Sequence, residues 1–323
     1  MSTSALPPSS PPAPAAVPPP AHPAPTATPA TASNAAAPRA NPIVTFGRMV
    51  KFTHTIFALP FALAAAALAA RGVGLGASRL LAIVVAMAGA RTTAMGFNRI
   101  VDRGIDARNP RTAGREIPRG AVSLRAAWLL TLASAGIFVA AAAFLGPLCL
   151  ALAPVALVFL WGYSLTKRFT ALCHLVLGLA IASGPAGAWI AVRGDFGLTP
   201  GLLMLAVGTW IGGFDILYAL ADRDFDRAAG LHSIPARLGI RGALAASGVL
   251  HLITVGALFT LAAVAGLGGF YLAGVAVVTG LLVWEHAIVK PHDLSRLNMA
   301  FFNLNGYVSV VFLAAVLADV LTR

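Results

Sequence analysis

The sequence predicts an all-α polytopic membrane protein, and three observations carry that reading. Only 11% of the 323 residues are charged, and 58% are hydrophobic. The mean hydropathy is +0.83. Apolar runs of about 20 residues, the length a helix needs to cross the hydrocarbon core of a bilayer, recur along the chain. A soluble chain of this length could bury one or two cores, but it could not hide so many unbroken apolar segments from water.

The elements follow in order. Residues 1–42 are dominated by Pro, Ala, Ser and Thr, with Arg39 as the sole basic residue, and read as a disordered tail before a membrane domain spanning 43–323. The tail has neither the apolar run of a secretory signal nor the arginines of a mitochondrial presequence. Nine apolar spans are then expected. Span 1 (54–71) follows Arg48 and Lys51. Span 2 (79–101) runs into the basic stretch from Arg99 to Arg125. Spans 3 (124–145) and 4 (147–165) lead to Lys167 and Arg168. Span 5 (170–192) ends at Arg193, and span 6 (200–222) meets Arg223 and Arg227. Arg237 and Arg241 precede span 7 (242–266), Lys290 follows span 8 (268–289), and Arg296 precedes span 9 (298–320).

With nine spans, nearly all basic residues fall on one side of the membrane; the other side holds Arg71, Arg79, Arg193 and Arg323. The rich side is cytoplasmic by the positive-inside rule, which places the N-terminus inside and the C-terminus outside. The net charge of +12 is therefore topological, and nucleic acid is excluded as a partner. Cys149 and Cys173 lie in separate apolar spans and read as small packing residues rather than a disulfide or metal pair.

The acidic residues are few and unevenly placed. Of eleven, six fall in two windows at the cytoplasmic ends of spans 2 and 6: Asp102 and Asp106, then Asp215, Asp222, Asp224 and Asp226. At about 100° per helical residue, Asn98, Asp102 and Asp106 share an arc of about 80°. Asp215, Tyr218, Asp222 and Asp226 share a second such arc, and Asp224 points the opposite way. Oxygen-only sets of carboxylate and amide suit hard divalent cations, above all Mg²⁺, which keeps several waters and shares its shell with phosphates. Two facing Asp clusters are thus suited to a metal-bound diphosphate. Arg91 lies two turns deeper than Asn98 on nearly the same face, where an intramembrane arginine demands an anion. Asp215, Asp222 and an anionic substrate group are all open as its partner.

These residues resemble the UbiA superfamily of intramembrane prenyltransferases, whose members carry N-x-x-x-D-x-x-x-D and D-x-x-[DY]-x-x-x-D-x-x-x-D. Here the motifs read NRIVDRGID from Asn98 to Asp106 and DILYALADRDFD from Asp215 to Asp226. The resemblance implies nine transmembrane helices around a central cavity, with the two motifs facing each other under a cytoplasmic cap. It implies Mg²⁺-dependent transfer of a polyprenyl group from a polyprenyl diphosphate to an aromatic acid in quinone biosynthesis, in a bacterial inner membrane. Asn98, Asp102, Asp106, Asp215, Asp222 and Asp226 would bind the metal, the five aspartates being the catalytic set. Tyr218 stands where the family has Asp or Tyr. Arg111 and Arg115 lie in a stretch similar to the family's R-T-x-x-R-P segment, and Lys167 with Arg168 in a loop similar to its Y-x-x-x-K-R. All four would contact the substrate diphosphate, although a positive-inside anchor also accounts for Arg168.

Arg99 departs from the pattern, because ubiquinone-pathway members usually read Asn-Asp at positions 98 and 99. The acceptor expected is 4-hydroxybenzoate-like; the alternative is 1,4-dihydroxy-6-naphthoate on a menaquinone route, whose branch the wording around Arg91 and Arg99 resembles. Haem farnesylation and a membrane transporter are the remaining readings, but a transporter would carry its acids near mid-membrane on broken helices. Asn303 and Asn305 among Phe301 and Phe302 fit interhelical hydrogen bonding or an acceptor wall. His54 and His232 read as packed or capping histidines, and the alanine runs 64–67 and 140–143 as close helix contacts.

Overall fold

The computed structural model describes residues 42–50 and 57–322. Residues 1–41 of the expected tail, Lys51, His54 and Arg323 lie outside the described residues. Eight helices among those described are long and apolar enough to cross a membrane. They are α3 (Ala77–Val101), α5 (Leu124–Leu145), α6 (Pro147–Thr166), α7 (Cys173–Arg193), α8 (Leu198–Ala219), α10 (Ile234–Val264), α11 (Gly269–Ile288) and α13 (Asn305–Leu321), with α8 and α13 counted together with the short turns adjoining them. The ninth expected span is represented by the shorter apolar helix α2 (Leu59–Ala69), because the span's expected start at 54 falls among residues 51–56. Short helices α1 (Pro42–Met49), α4 (Arg103–Arg108), α9 (Arg223–Ala228) and α12 (Leu297–Met299) complete the set.

Helix limits follow from local chemistry. The Ser123 and Ser233 side chains accept from Ala126 N at 3.2 Å and Ala236 N at 3.3 Å, capping α5 and α10. Pro147 sits in the first turn of α6, where its missing N–H is no loss. Gly194 ends α7 in the left-handed region at φ 74°. The α10 start, eight residues earlier than expected, comes with a kink at Gly239 (φ 70°), a backbone state only glycine adopts cheaply.

Successive long helices pack on one another from α3 through α13, and α2 packs on α13, on α7 and, more lightly, on α3, closing a ring. Close approach is set by small residues. Ala64, Ala65 and Ala66 on α2 are completely buried, whereas Ala140 and Ala143 face outward. A side chain on Gly178 would strike the Gly208 carbonyl oxygen, so α7 and α8 touch backbone to backbone. The exterior is apolar: Leu129, Phe144, Val158, Leu252 and Val283 are each at least 66% exposed. That inverted pattern is stable only with lipid as solvent.

Buried polar groups are tied across helices. Trp210 Nε1 donates to Asn305 Oδ1 at 2.7 Å, and Asn305 Nδ2 donates to Glu285 Oε1 at 2.8 Å, which assigns Asn305 to interhelical hydrogen bonding. Asp319, 1% exposed, accepts from Gly268 N at 2.8 and 2.9 Å and so caps α11 from α13. Both cysteines are free.

Candidate active site

Two helix ends build the site. The first motif straddles the junction of α3 and α4: Asp102 N bonds Asn98 O at 2.9 Å, and Asp106 N bonds Asp102 O at 2.8 Å. The i to i+4 ladder therefore passes through the junction, and the one-sided stripe survives a bend at Asp102 (φ −87°, ψ −1°). In the second motif, α8 ends at Ala219, a 3₁₀ turn covers Leu220–Asp222, and α9 begins at Arg223. Tighter winding in that turn still leaves Asp215, Tyr218, Asp222 and Asp226 on the inner side. Asp224 faces out, its side chain 82% exposed and paired with Arg223 at 2.6 Å.

Both motifs line one polar cavity of about 300 Å³. It receives Asn98, Asp102 and Asp106 from one side, Asp215, Tyr218, Asp222 and Asp226 from the other, and Arg91, Arg111, Arg115 and Lys167 between them. Arg168 stands behind the wall, where it holds Asp102 Oδ1 at 2.9 Å and Val101 O at 2.9 Å.

Three of the five motif carboxylates, Asp102, Asp106 and Asp222, are paired with Lys or Arg side chains. Lys167 Nζ lies 3.2 Å from Asp102 Oδ2, which also accepts from Asn98 Nδ2 at 3.0 Å. Arg115 Nη1 pairs with Asp106 Oδ1 at 2.7 Å. Arg111 joins the two halves: its Nε donates to Asp222 Oδ1 at 2.8 Å, its Nη2 to Asp222 Oδ2, and its Nη1 to Tyr218 Oη at 3.0 Å. Burial works against the Arg111 charge, but Asp222 and Tyr218 outweigh it and hold the guanidinium above its ordinary value. Both cations of the Lys167-Arg168 loop therefore meet a motif carboxylate. Arg91 pairs with neither Asp215 nor Asp222, and its buried Nε has no hydrogen-bond partner among the described residues.

Four further residues enter the site: Asn109 and His174, which the sequence did not mark, and Thr112 and Phe301, which lie in the R-T-x-x-R stretch and the aromatic segment of span 9. Asn109 Nδ2 donates to Asp222 Oδ1 at 2.9 Å, and Thr112 Oγ1 to Asp106 O at 3.1 Å. Phe301 stacks on Tyr218 with ring centroids 4.0 Å apart, presented by a π-helical turn over Ala300–Leu304. His174, 3% exposed, places Nδ1 2.7 Å from Asp215 Oδ2 while Nε2 accepts from Ile234 N at 3.3 Å. Since a backbone N–H needs a lone pair, this arrangement puts the His174 proton on Nδ1, donated to Asp215. His232, by contrast, is exposed.

The donor set is all oxygen and amide, which fits a hard divalent cation. No three His, Cys, Asp or Glu side chains converge on one ion position among the described residues. The set therefore fits an ion held by one or two carboxylates and completed by phosphate and water, rather than a closed protein cage. Asp106 Oδ2, buried and without a hydrogen-bond partner among the described residues, is an available ligand atom.

A set of apolar helices in lipid with two acidic motifs on one polar cavity defines a class, and the comparisons give the family. The chain belongs to the UbiA prenyltransferase family, whose model matches residues 58–307. It is 33% identical over 222 residues to the 4-hydroxybenzoate octaprenyltransferase of Sodalis glossinidius (strain morsitans), covering 69% of this chain and 76% of that one. It is 32% identical to the protein of the same name from Aeromonas salmonicida (strain A449), covering 74% and 82%. Among solved structures, a UbiA homologue from Aeropyrum pernix K1 superposes with a TM-score of 0.76 at 37% identity, over 83% of this chain and 98% of that one. An Archaeoglobus fulgidus homologue bound to DMAPP and Mg²⁺ shares the fold, with a TM-score of 0.63 at 19% identity, over 86% and 100%. The chain is a multi-pass membrane prenyltransferase.

Proposed function

We propose that this enzyme transfers a polyprenyl group from a polyprenyl diphosphate to an aromatic acid of the 4-hydroxybenzoate type, with Mg²⁺, for quinone synthesis. The observation that carries the reading is the placement of both acidic motifs on one cavity, with Asp102, Asp106 and Asp222 already paired with basic side chains. Asn98, Asp102, Asp106, Asp215, Asp222 and Asp226 are the metal-binding set, of which the five aspartates are the catalytic carboxylates. Bound there, Mg²⁺ supplies positive charge to the diphosphate as its allylic C–O bond breaks. Arg111, Arg115 and Lys167 exchange their carboxylate partners for phosphate oxygens and so stabilise the same developing charge, and Arg168, behind the wall, adds its charge through Asp102. Tyr218, stacked on Phe301, orients Arg111 toward Asp222. Arg91, deeper in the cavity and with no ion pair among the described residues, meets the anionic group of the acceptor. Phe301 and Phe214 give the cavity an aromatic wall that offers the allylic cation no water on that side.

The isoprenoid tail has its own place. An apolar cavity of about 550 Å³ is lined by Met87 and Ala90 of α3 and by residues of α5 to α8. Several of its lining side chains, Leu152, Val155 and Leu179 among them, are also exposed on the exterior, which lets a long tail continue into lipid. The wording around Arg91 and Arg99 supports 1,4-dihydroxy-6-naphthoate as the alternative acceptor. The basic asymmetry supports a bacterial inner-membrane location with the motifs on the cytoplasmic side. The test offers membranes containing the protein labelled polyprenyl diphosphate, each acid in turn, with Mg²⁺ or with chelator. A prenylated acid that forms with Mg²⁺ alone supports the reading; no product from either acid ends it.

A further inference from the structure

The cavity cations divide into two groups. Arg111, Arg115, Lys167 and Arg168 each hold a motif carboxylate, whereas Arg91 and Arg99 hold none among the described residues. Arg99 is the more enclosed of the two, at 6% exposed, and it lines the cavity with a buried Nε that has no hydrogen-bond partner among the described residues. The titratable groups near enough to act on its charge are Arg115, Asp106, Tyr163 and Glu116. Asp106 Oδ1 belongs to Arg115, and Asp106 Oδ2 is likewise buried without a partner among the described residues. An unsatisfied cation and an unsatisfied carboxylate oxygen thus share one stretch of wall without engaging each other. Each is costly to bury alone. Both are satisfied together by a ligand that presents an anion to Arg99 and a divalent cation to Asp106.

The geometry points to Arg99 as a binding residue for the donor's diphosphate, gripping a phosphate oxygen beside the cation at Asp106. The assignment rests on the prenyl-transfer reading and deepens it. The acceptor acid is the poorer match, because Arg91 lies eight residues deeper on the same helix, about 12 Å along its axis, while Arg99 sits level with the motif. The residue that breaks the Asn-Asp wording of the first motif is on this account a substitution of function: a metal-binding carboxylate is exchanged for a fixed positive charge on the same leaving group. Arginine suits that use, being permanently charged and forked toward phosphate.

The test measures binding of geranyl thiolodiphosphate, a slow donor analogue, with MgCl₂ to the full-length protein in detergent, alongside KM for the aromatic acid at saturating donor. Arg99→Gln should weaken analogue binding by about 10- to 100-fold, the worth of a hydrogen bond to a charged group, and leave the acceptor KM unchanged. Arg99→Lys should recover most of the loss. The ligand-free Arg99→Gln protein should unfold no earlier than wild type, since an unpaired buried charge has been removed. Unchanged analogue binding in Arg99→Gln, or a raised acceptor KM with donor binding intact, overturns the assignment. Earlier unfolding with intact binding does so too, marking Arg99 as a structural cation. Wild-type protein that fails to bind the analogue instead overturns the prenyl-transfer reading itself.

Discussion

Replacement of Asp102 separates the folding role of the site from its chemistry. Asp102 is 2% exposed and holds three groups: Asn98 at 3.0 Å, Arg168 at 2.9 Å and Lys167 at 3.2 Å. Removing one partner of a fully buried ion pair costs about 3–5 kcal/mol, because the other charge is left without compensation. Lys167 and Arg168 keep 30% and 32% side-chain exposure, so water recovers part of that penalty. Asp102→Ala should therefore lose about 2–3 kcal/mol. Asp102→Asn keeps the shape and one acceptor oxygen and should lose about 1–2 kcal/mol. Both variants lack the charge that faces the metal and the leaving group, so both should lose about 100-fold or more in turnover. Unfolding in micelles followed by tryptophan fluorescence, with initial rates of prenyl transfer, reads the two effects separately. An Asp102→Asn enzyme with wild-type turnover would refute the catalytic assignment. An Asp102→Ala protein as stable as wild type would refute the ion-pair argument.

Three further outcomes follow from the geometry. Asn305→Ala strips Trp210 Nε1 and Glu285 Oε1 of their partners and should destabilise the protein by about 2–4 kcal/mol, seen as earlier unfolding. Gly178→Ala drives a methyl group into the Gly208 carbonyl and forces α7 from α8; earlier unfolding and reduced turnover should appear together, since α8 carries Asp215. Asp224→Asn, altering the one acid of its window that faces outward, should leave turnover and unfolding within experimental error of wild type.

The parts legible in the sequence were those set by period and polarity. Eight of the nine expected spans were found within a few residues of their expected ends, apart from the early start of α10, because apolar length and terminal arginines decide where a helix leaves lipid. The motif stripes were legible because the i to i+4 ladder continues across Asp102, and the exposure of Asp224 followed from the same arithmetic. The breaks themselves, at Asp102 and over Leu220–Asp222, carry no proline or glycine and left no local mark. Nor did the tertiary partnerships. Arg111 reaches Asp222 across 111 positions, and His174 reaches Asp215 across 41. An isolated histidine one turn into an apolar span gives no sign of the carboxylate it will meet. Arg99 was visible as an exception to a motif, but only its burial beside Asp106 gives the exception a use. Asp319 is the converse case: an acid in the last apolar span is conspicuous, yet its three-dimensional role as the cap of α11 depends on where two distant helix ends come together.

The proposed chemistry requires both acidic motifs to close on a single metal-bound diphosphate. Its most direct measurement is an experimental structure of the full-length protein with a prenyl thiolodiphosphate and Mn²⁺, the ions located by anomalous scattering. The account predicts manganese at about 2.1–2.3 Å from carboxylate oxygens of both motifs, with the diphosphate between them and Arg111 turned from Asp222 toward phosphate. Ions or diphosphate bound outside the cavity, or Asp222 still clasped by Arg111 with the donor bound, would contradict it.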